Sequence, residues 1–169
     1  MMLSKRDRTD YTGTILRFAT AFGVSARTRL DLLINEFVYK SVHNEIISIY
    51  DQHTWRPYCH VNDFGILIDK VLSAETNDVY FEVFNGGSGQ NNYTKKDILE
   101  AIRSFGYDPT VIYNEHDADP RDYKVSFEKA NQKIGFVAQY CLNNGINELI
   151  DFSQNIKFDK RFINNILYA

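Results

Sequence analysis

Residues 79–106 read VYFEVFNGGSGQNNYTKKDILEAIRSFG, and this stretch decides the fold. Val79 to Phe84 is rich in β-branched and aromatic residues and predicts a strand. It runs into Asn85-Gly86-Gly87-Ser88-Gly89, a cluster that favours a turn. Thr94 with Asp97 three residues later forms a capping box, opening a helix from Lys95 to about Phe105 that Gly106 closes. Strand, turn and capped helix in that order make one α/β unit.

The same alternation extends in both directions. Upstream, Thr14 to Ala19 reads as a buried strand between Gly13 and Gly23. Leu30, Leu33, Ile34, Phe37, Val38 and Val42 then fall at helical spacing. A short strand, Ile46 to Tyr50, precedes a loop from Asp51 to Pro57. Asn62 is a good N-cap for the next helix, with Asp63 in its first turn and a stripe of Phe64, Leu67, Ile68, Val71 and Leu72. Downstream come a strand at Pro109 to Tyr113 and a polar loop at His116 to Arg121. Helices follow at Phe127 to Ile134, closed by Gly135, and at Asn144 to Phe152. The tail from Ile156 to Ala169 is amphipathic. Strands alternating with helices indicate an α/β class. The strands are few and short, however, and no βαβαβ run suffices for a complete nucleotide-binding sheet, so the residues are expected to be the second half of something larger.

Composition narrows the function. The 169 residues can bury about 70% of their unfolded surface. Hydrophobic residues make up 44% and charged residues 24%, the balance of a globular protein rather than a disordered one. A net charge of -3 gives no electrostatic footprint for nucleic acid. No apolar run approaches the length of a membrane span, and the opening residues lack a secretory core, so a cytoplasmic location is expected. Cys59 and Cys141 stand far apart without metal-ligand spacing, as free thiols in a reducing compartment do.

Three clusters invite chemistry. Gly86 to Gly89 lies where a dinucleotide fold places its pyrophosphate loop, but Gly87, Gly89 and Asn92 give G-x-G-x-x-N, and the helix opens several residues late. A turn leading to a capped helix explains it better. Cys59-His60-Val61-Asn62-Asp63 joins a thiol, an imidazole and a carboxylate. It lacks further metal ligands, and adjacent residues of an extended segment point to opposite faces. Helix capping by Asn62 or Asp63 over a packed His60 is the simpler account. Arg27, Arg29, Arg56 beside Trp55 and Tyr58, and Arg121 beside Tyr123 supply guanidinium forks suited to phosphate, but only if two of them converge.

Five segments, taken in order, resemble a known family. They are Lys5; Arg17-Phe18-Ala19-Thr20-Ala21-Phe22-Gly23; Trp55-Arg56-Pro57-Tyr58-Cys59-His60-Val61-Asn62-Asp63; Val83-Phe84-Asn85-Gly86-Gly87; and Asp119-Pro120-Arg121-Asp122-Tyr123 through Ile134-Gly135-Phe136. The sequence is similar over about residues 3–153 to the NAD-dependent epimerase/dehydratases, extended short-chain dehydrogenases acting on nucleotide sugars. The resemblance implies the C-terminal portion of a Rossmann-type fold lacking most of the parallel NAD-binding sheet. It implies residues 1–23 as a remnant of the cofactor domain, 24–155 as the substrate-binding portion and 156–169 as a tail.

The same resemblance assigns roles. Lys5 matches the lysine of the Tyr-x-x-x-Lys pair, but the position four before it is Met1, so the phenol that acts as acid or base is missing here. Phe18, Ala19 and Thr20 match the loop beside the nicotinamide, and Thr20, where relatives usually have Asn, also faces the sugar. Arg56 and Arg121 match residues that grip the diphosphate, while Ile47 and Asn35 match positions near the nucleotide base. The implied ligand is a UDP- or dTDP-type sugar, with NAD the cofactor of the parent family. These residues alone are expected to bind no NAD and to be inactive, pairing with a separate N-terminal chain or with themselves. An independent nucleotide-binding domain built on Gly86 to Gly89 is the remaining alternative.

Overall fold

The computed structural model describes residues 11–114 and 122–155. Lys5, Arg121, the loop from His116 and the tail from Ile156 lie outside the described residues.

One strand changes partners halfway along. β1 (Ile15–Phe18) runs parallel to β5 (Val83–Gly86), with Ile15 opposite Val83 and Phe18 opposite Gly86. After Ala19 the chain continues as β2 (Thr20–Phe22), now parallel to β4 (Arg56–His60), with Thr20 opposite Tyr58 and Phe22 opposite His60. The short β6 (Asn92–Tyr93) adds to β4 antiparallel. Farther along, β3 (Ile47–Tyr50) pairs in parallel with β7 (Val111–Asn114). Among the described residues the strands thus form small sheets of two, three and two members, in an α/β fold.

The side chains change cores at the same place. Leu16 and Phe18 pack against a cluster of Leu67, Val79, Phe84, Ala130 and Phe136. Phe22 belongs to a larger cluster that includes Ile34, Tyr58, Ile98 and Leu149. Around the smaller core stand α2 (Val61–Ser73), α3 (Thr76–Val79) and α5 (Glu128–Ile134). Around the larger stand α1 (Leu33–Val42), α4 (Lys95–Ser104) and α6 (Leu142–Asn155). The expected capping box is present on α4, Thr94 and Asp97 each accepting the other's backbone N–H. Gly135 closes α5 in the left-handed conformation.

Several boundaries differ from expectation, each for a local reason. Val79 ends α3, and Phe81, at φ 50°, turns the chain before the strand begins at Val83. Leu30 is buried but not helical. Thr28 Oγ1 binds both the N–H and the C=O of Ser25, and Asn35 Nδ2 takes the C=O of Arg29, so side chains compete for the backbone ahead of α1. Arg56 and Pro57 belong to a strand, not to the preceding loop; Pro57 survives there because it stands near the start of β4, ahead of Tyr58, where pairing with β2 begins. The N-cap of α2 is His60 rather than Asn62: its Nδ1 accepts the N–H of Asn62 at 3.2 Å.

Candidate functional site

Ala19 is where the site begins. Its N–H donates to Gly86 O at 2.9 Å, the last rung with β5, and the next residue already pairs with β4. Parallel strands leave a crevice beyond their carboxyl ends where a strand order diverges, and ligands of open α/β sheets bind there. Here the crevice is a pocket of about 260 Å³ lined by Arg17, Phe18, Ala19, Thr20, Pro57 and Asn85, with Tyr123, Val125 and Phe127 on its far wall. That volume falls just below the roughly 300–1,000 Å³ of sites that hold a drug-sized ligand, and suits one ring with its substituents.

The far wall is an extended strap, residues 122–127. Tyr123, Val125 and Phe127 alternate along it, the period-two pattern that turns every second side chain to one face. Each step is fastened to a different element. Trp55 N–H donates to Asp122 Oδ1 at 2.8 Å, and Tyr123 N–H donates to Trp55 O at 3.3 Å. Val125 N–H donates to Asn92 Oδ1 at 3.0 Å, and Asn92 Nδ2 donates to Val125 O at 3.3 Å. Asn85 Nδ2 reaches Ser126 O at 3.1 Å. Two cation–π contacts cross at the start of the strap, Lys124 over Trp55 at 3.4 Å and Arg56 over Tyr123 at 5.5 Å. Arg56 and its neighbouring Trp55 therefore meet the strap from the β4 side.

Phe18 stacks on Phe64 at 3.9 Å and Thr20 is exposed at the pocket edge. Asn35 is 1% exposed and points inward. Its Oδ1 accepts Gly23 N–H at 3.0 Å and its Nδ2 donates to Gly23 O and Arg29 O, so it fixes the loop after β2. Ile47 is likewise 1% exposed, its side chain in the larger core. Arg27 and Arg29 are exposed, and Arg29 is paired with Asp31, whose carboxyl it holds below its ordinary range.

The glycine turn satisfies itself. Ser88 O accepts Asn91 N–H and Ser88 Oγ accepts Gln90 N–H, so these amides are not presented to an anion. At the start of α4 the amides of Thr94 and Asp97 are taken by the capping box and that of Lys96 by Gln52 O. Gly87 is small for a packing reason: a Cβ there would stand 2.6 Å from the Phe127 ring. Beyond the strap, a cavity of about 530 Å³ lies between Gly87 to Gly89 and α5.

The Cys59-to-Asp63 segment is a structural hub. Burial, followed by the charge of Asp63, pushes the Cys59 thiol up to about 12, far from the thiolate range of a nucleophile. His60 is fully buried, edge-on to Phe22 and stacked on Tyr140. With Nδ1 accepting from Asn62, its Nε2–H donates to Glu148 Oε1 at 2.7 Å, and the same oxygen accepts Val24 N–H at 2.6 Å. Gly23, at φ 104°, passes so close that a Cβ would lie 2.3 Å from His60 Nε2. Asp63 is fully buried too; its two oxygens accept the N–H groups of Gln139 and Tyr140. Among the described residues no three His, Cys, Asp or Glu side chains form a group able to hold a metal ion. No helix among them is long and apolar enough to cross a membrane.

No family model matches the sequence. Solved structures similar to it in three dimensions include MoeE5 in complex with UDP-glucuronic acid and NAD, with a TM-score of 0.76 and 24% identity over 90% of this chain and 51% of that one. The UDP-glucuronic acid 4-epimerase from Bacillus cereus in complex with UDP-glucuronic acid and NAD gives 0.73 and 19% over 83% and 45%. The UDP-glucose 4-epimerase from Thermotoga maritima with UDP-glucose gives 0.74 and 21% over 89% and 48%. The chain spans about half the length of the solved structures it matches. It therefore shares the α/β fold of these chains over that half, in agreement with the fold implied by its motif order.

Proposed function

We propose that these residues form the nucleotide-sugar side of an NAD-dependent sugar-nucleotide epimerase or dehydratase. The single observation that carries the proposal is the pocket at Ala19: a one-ring cavity at a partner switch of parallel strands, in a fold shared with proteins solved with UDP-sugars and NAD. The sugar ring occupies that pocket between Thr20 and Asn85, the diphosphate lies toward Arg56, and Arg121 is its second contact by the family resemblance alone. The base lies toward β3 and the backbone around Ile47, with Asn35 acting through the loop it holds. Bound against Phe18, Ala19 and Thr20, NAD would supply the oxidation of a sugar carbon. Lys5 would assist a tyrosine phenol as acid and base, and none of these residues supplies that phenol at the required spacing. We accordingly take these residues to be inactive by themselves. A second reading, pairing with a separate cofactor-binding chain, draws on α2, where Leu72 is 80% and Ile68 43% exposed.

Titration of UDP-glucose into the chain, followed by amide NMR shifts, tests the proposal. Binding near millimolar is expected, because the ordering of loops, about 0.5–1.5 kcal/mol per side chain, offsets much of the gain. Shifts should cluster at Phe18 to Thr20, Asn85 and Arg56. Arg56→Ala should weaken binding about tenfold or more, the worth of one charge-assisted contact. Shifts confined to Ser88 to Gln90, with Arg56 silent, would move the site to the glycine turn and sink the assignment.

A further inference from the structure

The strap of residues 122–127 divides two cavities, the 260 Å³ pocket at Ala19 and the 530 Å³ cavity against α5, and Val125 and Phe127 line both. Its position therefore sets the width of each. The attachments differ in kind. Those at Asp122 and Tyr123 join exposed residues to the segment before β4. Asn85 takes a single carbonyl, that of Ser126. Asn92 takes both main-chain groups of the half-buried Val125, in the middle of the strap, through Oδ1 and Nδ2. One side chain thus does what a neighbouring strand would do, and it does so where a dinucleotide loop would need its third glycine.

Asn92 is itself fixed on both sides. Its backbone lies in β6, paired with Pro57 at the start of β4, and Pro57 also lines the Ala19 pocket. Its Nδ2 makes a second bond, to Gly89 O at 3.0 Å, so the amide cannot swivel without releasing the glycine turn. The carboxamide is the one small side chain with both a donor and an acceptor at this reach. Aspartate keeps only the acceptor and alanine keeps neither.

We propose that Asn92 is a positioning residue of the Ala19 pocket: by gripping both main-chain groups of Val125 it holds the strap at the distance that one sugar ring requires, on the premise of the proposed function that a sugar ring is what the pocket takes. Asn92 touches no ligand in this account. It acts on the ring-bearing part of the ligand through Val125, and leaves the nucleotide part to Arg56.

The test uses the whole chain with Asn92→Ala and Asn92→Asp and two readouts. Amide hydrogen exchange of Val125 reads the grip without any ligand. Relative to unchanged core amides it should rise about tenfold in Asn92→Ala, the worth of one net hydrogen bond, and stay near the parent rate in Asn92→Asp, which retains the acceptor. Affinities for UDP-glucose and for UDP read the consequence: both variants should lose about tenfold for UDP-glucose and less than twofold for UDP. If Asn92→Ala fails to fold, Asn92→Asp carries the test through the same split between UDP-glucose and UDP. Unchanged Val125 exchange in Asn92→Ala, or equal losses for UDP-glucose and UDP, would overturn the assignment. If the parent chain takes up neither ligand while Val125 exchange follows the expected order, the nucleotide-sugar premise fails and the grip of Asn92 on the strap stands.

Discussion

Replacing Asp63 by Asn changes no volume, yet should unfold the chain sooner than almost any surface substitution. The Asp63 carboxylate is fully buried at the start of α2 and accepts two backbone N–H groups, from Gln139 at 2.8 Å and Tyr140 at 3.3 Å, one on each oxygen. Asparagine offers one carbonyl, and its NH₂ would face the other N–H donor to donor. The lost charge-assisted bond amounts to about 1.5–3 kcal/mol and the orphaned N–H to about 1–3 kcal/mol more. Since Gln139 is exposed and water can reach part of the gap, a net loss of about 2–4 kcal/mol is expected. That is a large fraction of the roughly 5–15 kcal/mol that holds a domain together. At about 2–4 °C per kcal/mol for a chain of this size, Tm should fall by about 4–16 °C. Urea unfolding gives the free energy directly, with a lower midpoint at an unchanged slope. Asp31→Asn, which breaks an exposed pair with Arg29, is the control and should cost at most about 1 kcal/mol. A loss in Asp63→Asn no larger than the control would refute the view that this carboxylate ties α2 to the segment before α6. As a second readout, the Cys59 thiol should titrate somewhat lower in Asp63→Asn and still stay raised, because burial is the larger cause.

Two further outcomes follow from other groups. At pH 8 iodoacetamide should label the exposed Cys141 readily and spare the buried Cys59 until the chain is unfolded; equal rates would contradict the raised thiol of Cys59. Lys129 and Lys133 hold Glu82 at about 2, below its ordinary value of 4.5. A depressed carboxyl contributes stability above its ordinary range and loses it as the pH falls toward the folded value. Glu82→Gln should therefore cost about 1 kcal/mol at pH 6, given the exposure of both lysines, and progressively less as the pH falls through about 2; an undiminished gap at low pH would exclude the ion pairs as its source.

Much of this was legible in the sequence where the signal is local. The capping box of Thr94 and Asp97, the glycine at the end of α5 and the apolar spacing of α1 each depend on residues within two turns of one another, and each matches the observed element. β4 was not legible: Arg56-Pro57 reads as the end of a loop, and only the pairing of Tyr58 to His60 with Thr20 to Phe22, 38 positions away, and of Arg56 and Pro57 with β6 makes it a strand. The role of His60 escaped for the same reason. Its partner Glu148 lies 88 residues downstream, and histidine is not among the usual capping residues. At the site, Phe18, Ala19 and Thr20 stand together on the pocket, while Asn35 and Ile47 turn inward, a difference that burial decides and sequence position does not. Val125 could have been suspected only from the alternation of Tyr123, Val125 and Phe127, and Asn92 only from its standing where a dinucleotide loop has its third glycine.

Ala19 divides a strand that answers to two sheets at once. Side chains along a strand alternate with a period of two, so adding or removing one residue reverses every facing beyond the change. Here the parity is fixed twice, by Phe18 over Gly86 on one side and by Phe22 in the larger core on the other. A single-residue insertion at Ala19 cannot be absorbed by sliding, because sliding β2 along β4 would throw Phe22 toward water, and sliding β1 along β5 would take the Phe18 ring off Gly86, whose missing Cβ leaves the space that ring fills. The floor of the pocket is consequently a place where the length of the chain cannot change, although it carries only a methyl group.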